Sequence, residues 1–114
     1  MYLYKNEAFY KGEWKDSVRH GEGVFVYSNG DVYKGDWIND KRHGKGEYKY
    51  YNGVVYNGDW SNGLREGRGN CVYRNGDVYK GMWHKDKRNG KGKLIDFDDN
   101  IVHDGYWQNG MMAV

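Results

Sequence analysis

The sequence predicts an all-β fold: an elongated, single-layer antiparallel meander of about ten short strands, curved into an aromatic-lined trough. Three observations predict it. A unit recurs with a period of 23 residues: Trp14, Trp37, Trp60 and Trp83 are evenly spaced, and Trp107 follows after 24. Each unit carries an Asn-Gly or similar pair between alternating apolar residues, the strongest short-range hairpin signal. Leu, Ile, Val and Phe together number only 19 of 114 residues, against 17 Tyr and Trp, too little aliphatic material for a two-layer core.

Composition bounds the rest. The net charge is only +2, so the low aliphatic share does not signal disorder. No stretch approaches the ~20 apolar residues that span a bilayer, and the opening MYLYKNEAFY lacks the pattern of a signal peptide. A single cysteine, Cys71, fits a reducing compartment, so a cytoplasmic location is expected. The absence of proline leaves every backbone N–H available to a ladder.

One domain, 1–114, divides into a half-repeat 1–9, repeats 10–32, 33–55, 56–78 and 79–102, a half-repeat 103–110 and a tail 111–114. Each repeat reads Y-x-G-x-W, a polar stretch of six or seven residues, G-x-G, an aromatic-rich run and the Asn-Gly turn. Period 2 within each half means strand. The extra residue is expected between Gly92 and Asn100.

Parity fixes the expected register, because residues directly opposite on antiparallel strands share a face. A two-residue Asn-Gly turn would put Tyr27 and Tyr33 on opposite faces. A three-residue loop, Ser28-Asn29-Gly30, pairs Phe25 with Tyr33 and needs Gly30 left-handed. Propagated, this register gives an all-glycine row from Gly12 to Gly105, a row alternating Trp with Gly, and a mostly aromatic row running from Tyr2 through Tyr33, Tyr56 and Tyr79 to His103. The opposite face carries alternating charges, Asp36, Lys45, Asp59 and Arg68 among them, and reads as solvated.

The pattern resembles the MORN (membrane occupation and recognition nexus) repeat. YKGEW…HGEG, YKGDW…HGKG, YNGDW…EGRG and YKGMW…NGKG carry the resemblance over almost the whole chain. It implies a curved single sheet of hairpins. It also implies scaffolding, cytoskeletal, ciliary or membrane-adjacent attachment and partner binding, without catalysis.

Candidate sites follow. The aromatic trough, with Tyr33, Trp37, Tyr48, Tyr56, Trp60, Tyr79 and Trp83 at its centre, is expected to bind a protein partner through an amphipathic helix or peptide. The competing reading is that these rings only pack on each other. Arg19, Arg42, Arg65 and Arg88 recur at one position and, with Lys41 and Lys87, would form a basic loop edge for anionic lipid, such as a phosphoinositide, or for an acidic partner. An ordinary solvated loop row is the alternative. No histidine pair has metal-ligand spacing, and His20 and His43 are expected to support turn backbone. No carboxylate has the apolar setting of a catalytic acid, GEG and GKG lack a phosphate-loop context, and the aromatic face is expected to carry almost no Lys or Arg for nucleic acid. No cofactor, metal, catalytic residue or nucleic-acid partner is therefore expected. A regulatory domain for an enzyme outside this chain stays open. The terminal strands are expected to be bare edges, open to a homodimer.

Overall fold

In the computed structural model, which describes residues 1–113, eleven strands form one antiparallel sheet in strict chain order. They are β1 (Tyr2–Leu3), β2 (Phe9–Lys15), β3 (Val18–Val26), β4 (Val32–Ile38), β5 (Lys41–Lys49), β6 (Val55–Ser61), β7 (Leu64–Val72), β8 (Val78–His84), β9 (Lys87–Ile95), β10 (Ile101–Gln108) and β11 (Met111–Met112). The eleventh strand is one more than expected: Met111 and Met112 pair with Gln108 and Trp107. The sheet is elongated, 46 × 24 × 17 Å.

Two turn types alternate. At one edge, Tyr27 N–H donates to Asp31 O at 2.9 Å and Gly30 N–H to Tyr27 O at 3.0 Å, with Gly30 at φ 98°. This is the expected three-residue loop with a glycine bulge. At the other edge the expected long loops are absent. Lys15 pairs with Val18 around Asp16-Ser17, whose φ values are 50° and 69°. Positive φ at both central residues defines a type I′ turn, whose twist matches that of its strands. The polar stretches are therefore strand, and β3, β5, β7 and β9 each run nine residues.

Those longer strands hold a shift that parity does not reveal. Gly12 pairs with Gly23, but Trp14 pairs with Arg19 rather than Gly21. The same break recurs at Trp37–Arg42, Trp60–Arg65 and Trp83–Arg88. Gly21, at φ 75°, supplies the left-handed residue that such a bulge needs. The arginines stay on the aromatic face and are thereby paired directly with the tryptophans. Across the other strand junction the expected alternation holds, with Gly21 opposite Trp37 and Gly44 opposite Trp60.

The nine-glycine row and the Tyr2-to-His103 row form as expected, each running unbroken across the sheet. The extra residue, however, lies beyond Asn100. Asp96 N–H still donates to Asn100 O as Tyr27 N–H does to Asp31 O, and the register slips between Ile101 and His103, so Val102 is the insertion.

The core is one layer of rings. Tyr33 lies along its own strand over the glycine row and donates its hydroxyl to Asp36 O at 2.8 Å. Any Cβ at Gly46 would run into that phenol. Trp60 then stands edge-on to Tyr33 and donates its indole N–H to Gly46 O at 3.1 Å. Tyr10, Tyr56 and Tyr79 donate in the same way, as do Trp37, Trp83 and Trp107. Trp14 has no tyrosine strand before it in this series and is 44% exposed, whereas the other four indoles are buried.

Candidate functional site

The structure brings the seven expected partner-binding residues together, but as core. Tyr33, Tyr56 and Tyr79 are fully buried, and Trp37, Tyr48, Trp60 and Trp83 expose 2–7% of their surface. Rings packed at centroid distances of 5.1–5.5 Å, edge to face, leave no ring surface for a partner. This burial fits the competing reading, in which the seven rings pack on each other, and corrects the expectation that they are open to contact. The outer row of tyrosines, Tyr4, Tyr27, Tyr50 and Tyr73, packs against this core and stays partly exposed.

The arginines are corrected with them. They form no free basic edge: each guanidinium lies over the tryptophan of the following strand pair. Arg19 stacks on Trp37 at 4.6 Å, Arg42 on Trp60 at 4.8 Å, Arg65 on Trp83 at 4.6 Å and Arg88 on Trp107 at 4.4 Å. The same guanidinium groups are held at their edges by the next turn. Asp40 takes Arg19 Nε at 2.9 Å, and Asp86 takes Arg65 Nε at 3.2 Å. At the matching places the next turn offers Arg42 and Arg88 the carbonyls of Gly63 and Gly110. Arg19 and Arg65 thus pair with a carboxylate of the next turn, and among the described residues Arg42 and Arg88 form no ion pair. Lys41 and Lys87 are exposed.

Sequence reasoning missed this role for arginine. The signal was there: an aspartate 21 residues after Arg19 and Arg65, and a glycine 21 or 22 residues after Arg42 and Arg88.

The outer rows divide the aromatic face into a filled half and an open half. Phe25 and Tyr48 fill the row beside Arg19 and Arg42, whose guanidinium groups also lie over these rings at 4.8 and 5.0 Å. Cys71 and Leu94 hold the matching positions later in the chain. With no ring there, an open groove of about 620 Å³ remains, lined by Val54, Tyr73, Arg74, Asn75, Asp77, Arg88 and Leu94. Burial pushes the Tyr73 hydroxyl up to about 12, with the Cys71 thiol adding to the effect. Burial likewise raises the Cys71 thiol. Tyr73 is therefore neutral at physiological pH, and the charges bordering the groove come from Arg74, Asp77 and Arg88.

In the filled half one carboxylate is buried. Asp31 is 6% exposed and accepts the Tyr48 hydroxyl at 2.6 Å and Tyr51 N–H at 2.8 Å. Burial alone would raise its carboxyl. The hydrogen bonds from Tyr48, Tyr51 N–H and Asn29, with Arg42 nearby, outweigh it and hold the group below its ordinary value. Residue identity follows the same logic elsewhere, since Val54 stands where Asp31 does and Cys71 where Tyr48 does.

Of the histidines, His43 Nδ1 accepts Asn62 N–H at 3.3 Å, which is the expected turn support. Glu66 and Asn89 serve the next two turns in the same way. His20 Nδ1, at the matching place, is buried and has no hydrogen-bond partner among the described residues, so the turn support expected of it is absent. Among the described residues, no group of three or more His, Cys, Asp or Glu is arranged to hold a metal ion, and no helix is long and apolar enough to cross a membrane.

The family model described as MORN repeat matches residues 10–32, 33–55, 56–78 and 79–101. No curated protein matches the chain.

Proposed function

The chain belongs to the MORN-repeat family, with four consecutive repeats over residues 10–101, and from this we propose that it is a scaffold for a protein partner in a cytoskeletal, ciliary or cortical assembly. Repeats of this type are not themselves enzymes, and they recur in proteins that engage membranes or other proteins. The partner segment, an amphipathic helix or an extended peptide, docks on the open half of the aromatic face. It touches Tyr50, Tyr73, Val54 and Leu94 rather than the buried rings beneath.

The observation that carries this reading is the groove where Cys71 and Leu94 replace ring-bearing residues. It is apolar at its base, as the partly buried Val54 and Leu94 show, and bordered by polar groups from Arg74, Asn75, Asp77 and Arg88. An apolar floor with a few converging polar groups is the usual make-up of a binding cleft. The rings below hold it rigid, so docking orders little of the scaffold.

Panning a displayed peptide library against the chain tests this. Enriched peptides should lose binding to Tyr73→Ala and to Leu94→Glu, each checked for retained strand content by circular dichroism. Enriched peptides that bind both folded variants as tightly as the parent would overturn the reading.

A further inference from the structure

We propose that the face opposite the rings holds a phosphate-binding site in the fourth repeat, at the point where the earlier repeats bind a carboxylate of their own. In the first three repeats one side chain on the tyrosine–tryptophan strand caps an outward-facing backbone N–H of the next strand. Glu13 Oε2 accepts Glu22 N–H at 2.6 Å, Asp36 Oδ2 accepts Lys45 N–H at 3.1 Å and Asp59 Oδ2 accepts Arg68 N–H at 3.1 Å. Asp59 Oδ1 also pairs with Lys45 Nζ. Each N–H follows a left-handed glycine, Gly21, Gly44 or Gly67, which turns the amide out of the ladder toward that carboxylate.

The fourth repeat keeps the backbone and drops the acid. Gly90 is left-handed at φ 98°, Lys91 follows it, and the capping position is Met82. A thioether is a poor acceptor, and among the described residues no side chain accepts Lys91 N–H. The surrounding charge has the sign that an anion requires. Arg68, Lys80, Lys91 and Lys93 line one cavity of about 330 Å³ with Met82, facing a single carboxylate, Asp104. None of the four cations forms an ion pair among the described residues. Asp104 stands opposite Lys93, and Asp59, already paired with Lys45, lies on the far side of Arg68.

Lys80 and Lys93 are directly paired across β8 and β9, an arrangement that is unfavourable unless something neutralises it. One carboxylate would leave this surplus uncancelled, whereas a phosphate dianion both accepts the Lys91 N–H and spans two ammonium groups. The cluster recognises the phosphate group itself, free or at the end of an ester.

Titrating inorganic phosphate into the ¹⁵N-labelled chain tests the site at constant ionic strength, with acetate as the second arm. Phosphate should shift the Lys91 and Gly92 amides saturably. Met82→Asp, which restores the internal carboxylate, should weaken phosphate by about tenfold, as expected for a unit negative charge placed within hydrogen-bonding distance. Lys93→Gln should weaken it as well, and serves where Met82→Asp fails to fold. Equal shifts with acetate, a non-saturating response spread over all surface lysines, or unchanged binding in folded Met82→Asp or Lys93→Gln overturns the assignment.

Discussion

Trp60 stands edge-on to Tyr33, one repeat before it, with ring centroids 5.5 Å apart and planes at 86°. The same pair joins Tyr10 to Trp37, Tyr56 to Trp83 and Tyr79 to Trp107. Each tyrosine is also edge-on to the tryptophan of its own strand, as Tyr33 is to Trp37. The rings therefore form one continuous chain along the sheet, and each ring fastens a strand to the hairpin before it. With no second layer behind, this chain takes the place of a core.

Removing one link should be felt globally. Trp60→Ala deletes an indole that is 4% exposed, its bond to Gly46 O and its contacts with Tyr33, Tyr48 and Tyr56. A cost of about 3–5 kcal/mol is expected. Trp14→Ala removes a ring that is 44% exposed and should cost much less. Urea denaturation of both variants checks this, and equal losses would show that the ring chain is not what holds the sheet.

Two glycines should separate two reasons for glycine. Gly46 has an ordinary strand backbone, but a Cβ there would strike the Tyr33 phenol, so Gly46→Ala should cost about 3 kcal/mol through overpacking. Gly53 lies in a turn at φ 98° with nothing near its missing Cβ, so Gly53→Ala should cost only about 1 kcal/mol of backbone strain. The comparison needs only two thermal melts, and a reversed order would contradict the packing of Tyr33 over the glycine row.

Much of this architecture was legible in the sequence, because strand parity is strict. The three-residue loop at Ser28–Gly30, the glycine row and the Phe25–Tyr33 pairing all follow from where Tyr, Gly and Trp recur. What parity could not show is a bulge that changes the count by an even number. Between Gly23 and Arg19 the chain spends two more residues than its partner does between Gly12 and Trp14, so every face assignment survives while the pairing shifts. That shift brings Arg19 onto Trp37, and it is why the arginines read as a loop edge. The burial of Tyr33 and Trp60 was equally hidden, since alternation says which face a ring occupies and not how tightly its neighbours close over it.

Acid should unfold the protein in a defined order of causes. Asp31 is held below its ordinary value near 3.8 in the folded state. A depressed carboxyl contributes stability that is complete above the unfolded value and is lost as pH falls through the folded one. Asp40, Asp59 and Glu66 are lowered too, so their contributions share the sign. Stability should be flat from pH 7 to about 5 and fall below that. Tyr48→Phe removes one donor to the buried Asp31, should cost about 2 kcal/mol at pH 7, and should shallow the acid limb. Urea midpoints across pH 7 to 2.5 would show this, and an unchanged acid limb in Tyr48→Phe would remove Asp31 as its source.

Arg65 tests whether the arginines act through charge or through shape. Its guanidinium covers Trp83 at 4.6 Å while Nε and a terminal nitrogen bond Asp86, at 3.2 Å to Oδ1 and 2.8 Å to the backbone oxygen. Lysine keeps the charge but has neither the flat face nor the fork. Arg65→Lys should therefore cost about 1–2 kcal/mol, the worth of one stacked cation and a lost directed bond. Arg65→Met keeps an apolar stem over the indole and should cost less than Arg65→Ala. The Arg65–Asp86 coupling in a double-mutant cycle should stay below about 1 kcal/mol, because Asp86 is partly exposed and water screens the pair. If Arg65→Lys melts like the parent while Asp86→Ala carries the whole loss, the ion pair rather than the stacked face is what holds Arg65 to the next turn.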